Sequence, residues 1–184
     1  MQFKITFKSE LYALQSIIMI TIAYVLLFLG LYIGAVLKKL DIHEVLAFLS
    51  KLIFWITLVF YLPFCLIPVI ILHYNYKKKS PKLIEITENN LIVNDKVYTP
   101  EKIDIVNVFA TYRHFKGFSG GSIYSPHYYY MEFILKDGER FVLSSLLGYK
   151  LDAVFRENFR TVKIIERRSP FLLLIIPTMY PNLK

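Results

Sequence analysis

Residues that could carry out chemistry are few and scattered in this chain of 184 residues. The four histidines, His43, His73, His114 and His127, form no His-x-x-x-His or His-Glu-x-x-His pattern, so the sequence predicts no zinc site. The single cysteine, Cys65, excludes an intrachain disulfide and a thiolate metal cluster. Redox chemistry is therefore not expected.

Motifs for nucleophilic catalysis and phosphate binding are also missing from the sequence. Ser119, Ser144 and Ser145 lie outside any Gly-x-Ser-x-Gly elbow, and the chain has no Gly-x-x-x-x-Gly-Lys-Ser/Thr loop. We expect a protein that is not an enzyme, with no catalytic residue, no metal and no cofactor.

The segment 112–118 interleaves cationic and aromatic side chains. Arg113 and Lys116 lie beside Phe115 and Phe118 on a glycine-rich connection. If this segment faces a bilayer, each cation gains about 1 kcal/mol from anionic head groups, and the rings enter the interface. A solvated hairpin tip is the alternative. Nucleic acid is not an expected partner, because no RNA-binding or DNA-binding module is recognisable.

A cluster of three lysines, Lys77, Lys78 and Lys79, follows an apolar stretch directly. Such a cluster fixes the orientation of a membrane span, since cytoplasmic ends carry an excess of Lys and Arg. It is also a candidate contact for acidic lipid or for a partner.

The apolar C-terminal tail, residues 169–184, contains a run that is too short to span a membrane. This run consists of Phe171, Leu172, Leu173, Leu174, Ile175 and Ile176. Exposed to water it would promote aggregation, so it must be covered by the folded domain, the membrane interface or another protein. It is the sequence's main candidate for a partner-binding segment.

Two apolar stretches, 11–37 and 52–75, contain no Asp, Glu, Lys or Arg. Each exceeds the roughly 20 residues that a helix needs to cross the hydrocarbon layer. They predict a membrane α-helical hairpin over residues 11–76, preceded by a short strand or extension in residues 1–10. Gly30 and Gly34 allow close approach to another helix, and Pro63 and Pro68 should bend the second span.

The two sides of the predicted hairpin carry unequal numbers of lysines. The side of the termini carries Lys4, Lys8, Lys77, Lys78, Lys79 and Lys82, and the connecting side carries Lys38, Lys39 and Lys51. This distribution predicts a multi-pass protein with both termini in the cytoplasm.

Short strands are expected in the soluble part, residues 77–168. The predicted strands are 83–86, 91–93, 97–98, 103–112, 128–135 and 140–143. Asp137-Gly138 between the last two is a strong hairpin signal. Tyr128, Tyr129 and Tyr130 should alternate between the two faces of their strand. Apolar residues at helical spacing predict one helix over 149–159, so strands come first and a helix last.

Antiparallel strands closed by one C-terminal helix resemble a PH-like barrel. Segments 86–93, 98–103 and 133–143 and the helix near 152–159 carry the resemblance. With the N-terminal strand and the hairpin, the chain is similar to YcxB-like bacterial membrane proteins. The resemblance implies a mainly-β PH-like barrel or sheet on the cytoplasmic side of a bacterial inner membrane.

Together these features favour a non-enzymatic, membrane-anchored binding or scaffold protein. Its PH-like domain would be held at the inner leaflet to bind a protein partner or anionic lipid, for example as an accessory subunit of a membrane complex. Three alternatives stay open at this point: an immunity-type protein that neutralises a membrane toxin, a ligand-sensing membrane effector, and an enzyme acting on lipid.

Overall fold

The structure is a computed structural model that describes residues 1–38, 41–111, 114–115, 127–148, 150–169, 174–178 and 180. The expected site residues Arg113, Lys116, Phe118, Phe171, Leu172 and Leu173 lie outside the described residues. The described part consists of two long helical stretches, two β-sheets and one short helix.

The first helical stretch is α1, Phe7–Leu37. It begins at the N-cap Thr6, whose hydroxyl accepts a hydrogen bond from the Ser9 amide at 3.1 Å, while the Ser9 hydroxyl accepts one from the Thr6 amide at 3.0 Å. The second stretch comprises α2, Ile42–Ile56, a π-helical segment, Thr57–Leu66, and α3, Ile67–Lys79.

The two prolines of the second stretch act differently. Pro63 lies inside the π-helical segment, whose wider winding accommodates a residue that cannot donate a main-chain hydrogen bond. Pro68 falls in the first turn of α3, a position that helices tolerate well. The sequence predicted a bend at these prolines, and the structure has a π-helical segment of ten residues that contains Pro63 and ends just before Pro68.

Both helical stretches are long and apolar enough to cross a membrane by length and composition. Their mean hydropathies are 2.5 and 2.4, with only 11% and 12% of the most apolar windows buried inside the protein. The helices meet through polar pairs: Thr21 Oγ1 lies 2.6 Å from Tyr61 Oη, and the Tyr24 hydroxyl donates to the Ile53 carbonyl at 3.2 Å.

The first sheet is antiparallel in the order β1-β2-β3-β4. Its strands are β1, Gln2–Lys4; β2, Leu83–Ile86; β3, Leu91–Val93; and β4, Lys96–Tyr98. The N-terminal strand joins this sheet: Gln2 pairs with Glu85 and Lys4 with Leu83.

The second sheet has the order β7-β6-β5-β8. It is formed by β5, Ile103–Ala110; β6, Tyr129–Leu135; β7, Arg140–Ser144; and β8, Lys163–Arg168. The β6–β7 hairpin forms around Gly138, which has φ +88°. The expectation that a helix comes last was wrong, because β8 follows α4, Leu151–Asn158, and pairs parallel with β5.

The main hydrophobic core lies between the two sheets and α4. It combines Ile84 and Leu91 of the first sheet with Val106 and Phe133 of the second and Phe155 of α4. The strands form two separate four-stranded sheets, so the expected barrel is not closed.

Candidate functional site

The junction between the helices and the first sheet is very short. Strand β1 ends at Lys4, three residues before α1 begins at Phe7, and α3 ends at Lys79, four residues before β2 begins at Leu83. Since β1 and β2 pair with each other, both helical stretches continue into neighbouring strands of one sheet. The sheet is therefore fixed in position relative to the helix ends.

The three lysines predicted as a lipid or partner contact have different surroundings. Lys77 pairs with Glu10 of α1 at 2.7 Å, and Lys78 is exposed. Lys79 is only 7% exposed, and its ammonium donates to the Thr178 carbonyl at 3.3 Å and to the Tyr180 carbonyl. The assignment of Lys79 to an external contact is corrected, because its charged end is buried against the chain's own C-terminal tail.

A band of four exposed lysines surrounds the junction: Lys4, Lys8, Lys78 and Lys82. They come from β1, from the first turn of α1, from the last turn of α3 and from the connection to β2. Sequence reasoning used Lys4, Lys8 and Lys82 only as orientation signals. The β1–β2 pairing is what brings them together with Lys78.

At the base of the 112–126 segment, the described residues point inward. Phe115 is half-buried and packs against the main core, so its expected insertion into a membrane interface is corrected. His114 Nε2 lies 3.0 Å from Asp152 Oδ2, and its ring is 4.4 Å from that of Tyr129.

The three consecutive tyrosines alternate between faces as predicted. Tyr129 lies in the main core, and Tyr128 and Tyr130 lie in a second core on the opposite face. Burial raises the pKa of Tyr130 to about 12 and raises that of Tyr128 further. Both phenols are therefore protonated near neutral pH, and the Tyr128 hydroxyl lies 2.8 Å from His73 Nδ1.

The described part of the tail fills the second core. Leu174 and Ile176 are fully buried and Tyr180 is 5% exposed, whereas Ile175 is 45% exposed. They pack between α1, α3 and the outer face of the second sheet, with Leu72, Tyr76 and Val142 among their neighbours in the cluster. The expectation that Leu174 and Ile176 dock on a partner is corrected, because the folded chain itself covers both side chains.

A buried polar network lies beneath the tail and was not anticipated. Glu132 of β6 accepts from Asn107 Nδ2 at 2.8 Å and from the Tyr180 hydroxyl at 2.5 Å. Arg140 lies 3.6 Å from the same carboxylate, and Arg167 Nε donates to Asn107 Oδ1 at 3.3 Å. The sequence does contain one signal for this network: the alternation of side chains along β6 places Glu132 on the same face as Tyr130.

A cluster of metal-ligating side chains is not found within the described ranges. No group of three or more His, Cys, Asp and Glu side chains that could hold a metal ion occurs among those residues.

In a comparison with protein families, residues 2–153 match the model of a PH domain. The chain belongs to this PH-domain family. The matched range includes both helical stretches, the first sheet and strands β5, β6 and β7 of the second sheet, so the helices are part of what matches, whereas β8 lies beyond it. No curated protein and no solved structure matches significantly. A PH domain suggests binding of a protein or a lipid in general, and leaves the ligand of this chain open.

Proposed function

We propose that this PH-domain protein is a non-enzymatic binding module anchored in a bacterial inner membrane, with both termini in the cytoplasm. Helices α1 and α2–α3 form the membrane hairpin and hold the two sheets against the inner leaflet. The finer likeness to YcxB-like proteins and the role of an accessory subunit remain predictions.

The observation that supports this proposal most is the pairing of β1 with β2 at the ends of the two apolar stretches. A domain on a long flexible linker would sample many orientations. Here, three-residue and four-residue steps from strand to helix fix which side of the domain meets the head groups.

The lysine band is the surface that we assign to anionic lipid. Lys4, Lys8, Lys78 and Lys82 lie where the helices leave the apolar layer, and a basic residue near an acidic membrane surface gains about 1 kcal/mol. Tethering raises the effective concentration of head groups at this band, so modest intrinsic affinity is sufficient.

Membrane insertion is tested by extraction and topology. The protein should require detergent for solubility, and a reporter fused to Lys184 should be cytoplasmic while one inserted at position 40 should not. A polypeptide that stays monomeric in plain buffer and ignores vesicles would contradict the proposal.

Lipid contact is tested by replacing the four band lysines with alanine and measuring co-bound anionic lipid by native mass spectrometry. We expect at least about a ten-fold loss, given the gain per lysine above. A matched variant replaces the exposed Lys102, Lys136, Arg160 and Lys163, which lie towards the opposite ends of the strands. Equal losses in both variants would show that net charge, and not the band, attracts the lipid.

A further inference from the structure

The groove between α3 and the outer face of the second sheet is occupied by the described tail residues of the chain itself, 174–178 and 180. This segment alternates in the way an extended peptide does. Leu174 and Ile176 point into the groove and Ile175 points out, with exposures of 0%, 0% and 45%. The groove thus has two apolar positions separated by one solvent-facing residue.

Side chains of α3 bind the main chain of this segment. Asn75 Nδ2 donates to the Ile176 carbonyl at 3.1 Å, and the Ile176 amide donates to Asn75 Oδ1 at 2.9 Å. The Lys79 ammonium donates to the carbonyls of Thr178 and Tyr180. Every peptide has these main-chain groups, so the contacts favour an extended backbone of any sequence. Selectivity for a particular sequence would come from the two apolar positions.

The direction of the segment follows from the same contacts. Ile176 is bound by Asn75 and Thr178 by Lys79, so the segment runs parallel to α3. Four helical residues rise about 6 Å, close to the advance of two extended residues. The groove therefore accepts a segment that enters at the level of the apolar helices and runs away from them.

One polar group among the residues that surround the groove has no partner within the described part of the chain. The Tyr76 hydroxyl is buried and has no hydrogen-bond partner among the described residues. A buried hydroxyl without a partner is destabilising, because it has lost its hydrogen bonds to water. An occupant with a polar atom at this point would bind more favourably than the tail does.

We propose that this groove is a recognition site for an extended juxtamembrane segment of another membrane protein, and that the C-terminal tail occupies it as an internal competitor. The partner segment carries two large apolar residues at alternate positions, followed by a polar group that reaches Tyr76. This inference goes beyond lipid contact, and depends on the proposed function only for the position of the helices in the membrane.

The test uses the full chain in detergent without added lipid, so failure of the lipid contact does not affect it. A protease site is inserted after Ser169, the intact protein is folded and purified, and the site is then cut. The probe is a fluorescent synthetic peptide with the sequence of residues 170–184. We expect saturable binding after cleavage, and at least about 100-fold weaker binding to uncut protein, where the tethered tail competes.

Two variants decide whether the groove is the site of binding. Asn75→Ala should weaken probe binding to the cut protein by about ten-fold, while Tyr74→Ala, at a side chain that is 67% exposed on the same helix, should leave it unchanged. A probe with Asp in place of Ile176 should not bind. If the cut tail never exchanges, or if Asn75→Ala binds as well as the parent, the tail is a permanent part of the core and the proposal is wrong.

Discussion

The imidazole of His114 lies 3.0 Å from the carboxylate of Asp152, at the start of α4. Burial by itself raises the pKa of the Asp152 carboxyl. The hydrogen bond and charge of His114, with hydrogen bonds from Tyr129 and the Ala153 amide, outweigh it and lower that pKa below its usual value. This pair anchors the one described point within the 112–126 segment to the body of the domain.

Replacing Asp152 by asparagine should destabilise the domain in a pH-dependent way. A carboxyl with a lowered folded-state pKa contributes stability above its unfolded pKa of about 4, and this contribution is lost as the pH falls through the folded value. Asp152→Asn should therefore cost about 1–3 kcal/mol at pH 7 and less at pH 3. Denaturant unfolding in detergent at both pH values measures it. Asp104→Asn, at an exposed carboxyl, should change stability little at either pH.

Lys79→Met should loosen the tail without disturbing the helix. Methionine retains the apolar stem but removes the donor to Thr178 and Tyr180, and hydrogen bonds to charged groups contribute about 1.5–3 kcal/mol. Amide hydrogen exchange at Ile176 and Tyr180 should accelerate by about ten-fold or more. The same measurement on Lys78→Met serves as the control, and comparable acceleration there would assign the effect to helix charge.

Tyr76→Phe should be neutral or stabilising, which is unusual for a change at a fully buried residue. The removed hydroxyl has no partner among the described residues, whereas that of neighbouring Tyr128 lies 2.8 Å from His73 Nδ1. Tyr128→Phe should accordingly cost about 1 kcal/mol. Unfolding free energies of both variants in one detergent test the contrast. A clear loss for Tyr76→Phe would mean that the hydroxyl is satisfied in solution.

Gly148→Ala should destabilise the contact between β1 and the segment before α4. A Cβ at position 148 would lie 2.7 Å from Cδ1 of Phe3, closer than packed carbon atoms approach. We expect a loss of about 1–3 kcal/mol, as for other overpacked sites. Gly30→Ala is the matched change, because no atom lies within 4 Å of its added Cβ, and it should leave the folded monomer unaffected.

The same glycine comparison bears on the first helix. Gly30 and Gly34 leave open space and do not form the contact between the two helical stretches. That contact is made instead by the Thr21–Tyr61 pair and by the rings of Tyr24 and Tyr61, whose centroids lie 5.2 Å apart. The small-residue spacing therefore predicted a close approach that these helices do not make with each other.

A double-mutant cycle with Thr21→Val and Tyr61→Phe measures the polar pair between the helices. Hydrogen bonds between membrane helices contribute about 0.6 kcal/mol on average, so we expect a coupling energy of about that size. Tyr74→Phe, at a hydroxyl on a ring that is 67% exposed, provides the uncoupled control. A coupling energy of zero would assign the contact to ring packing alone.

Short-range patterns in the sequence correctly predicted strands and turns that depend on neighbouring residues. Alternation over 83–86 and Asp137-Gly138 identified β2 and the β6–β7 hairpin with nearly correct bounds. Strand β8 was missed although Val162, Ile164 and Ile165 carry an apolar signal, because the charged residues that follow resemble a solvated end.

The binding surfaces depend on contacts that no local pattern contains. Asn75 and Ile176 are separated by 101 positions, and so are Lys79 and Tyr180. An isolated Lys-Lys-Lys run does not reveal which lysine turns inward. Lys79 turns inward because tail carbonyls accept its hydrogen bonds. The pairing of β1 with β2 brings Lys78 together with the other lysines of the band.

The tight turn at Gly138 joins the ends of β6 and β7 that lie farthest from Tyr128, the residue that contacts α3. Strand β6 spans seven residues, or about 23 Å at the usual rise per residue. If the helices span a bilayer as proposed, a fluorophore attached at this turn would lie on the side of the sheets away from the lipid. Energy transfer to a dye in the bilayer would then convert any tilt of the two sheets into a measurable change in distance.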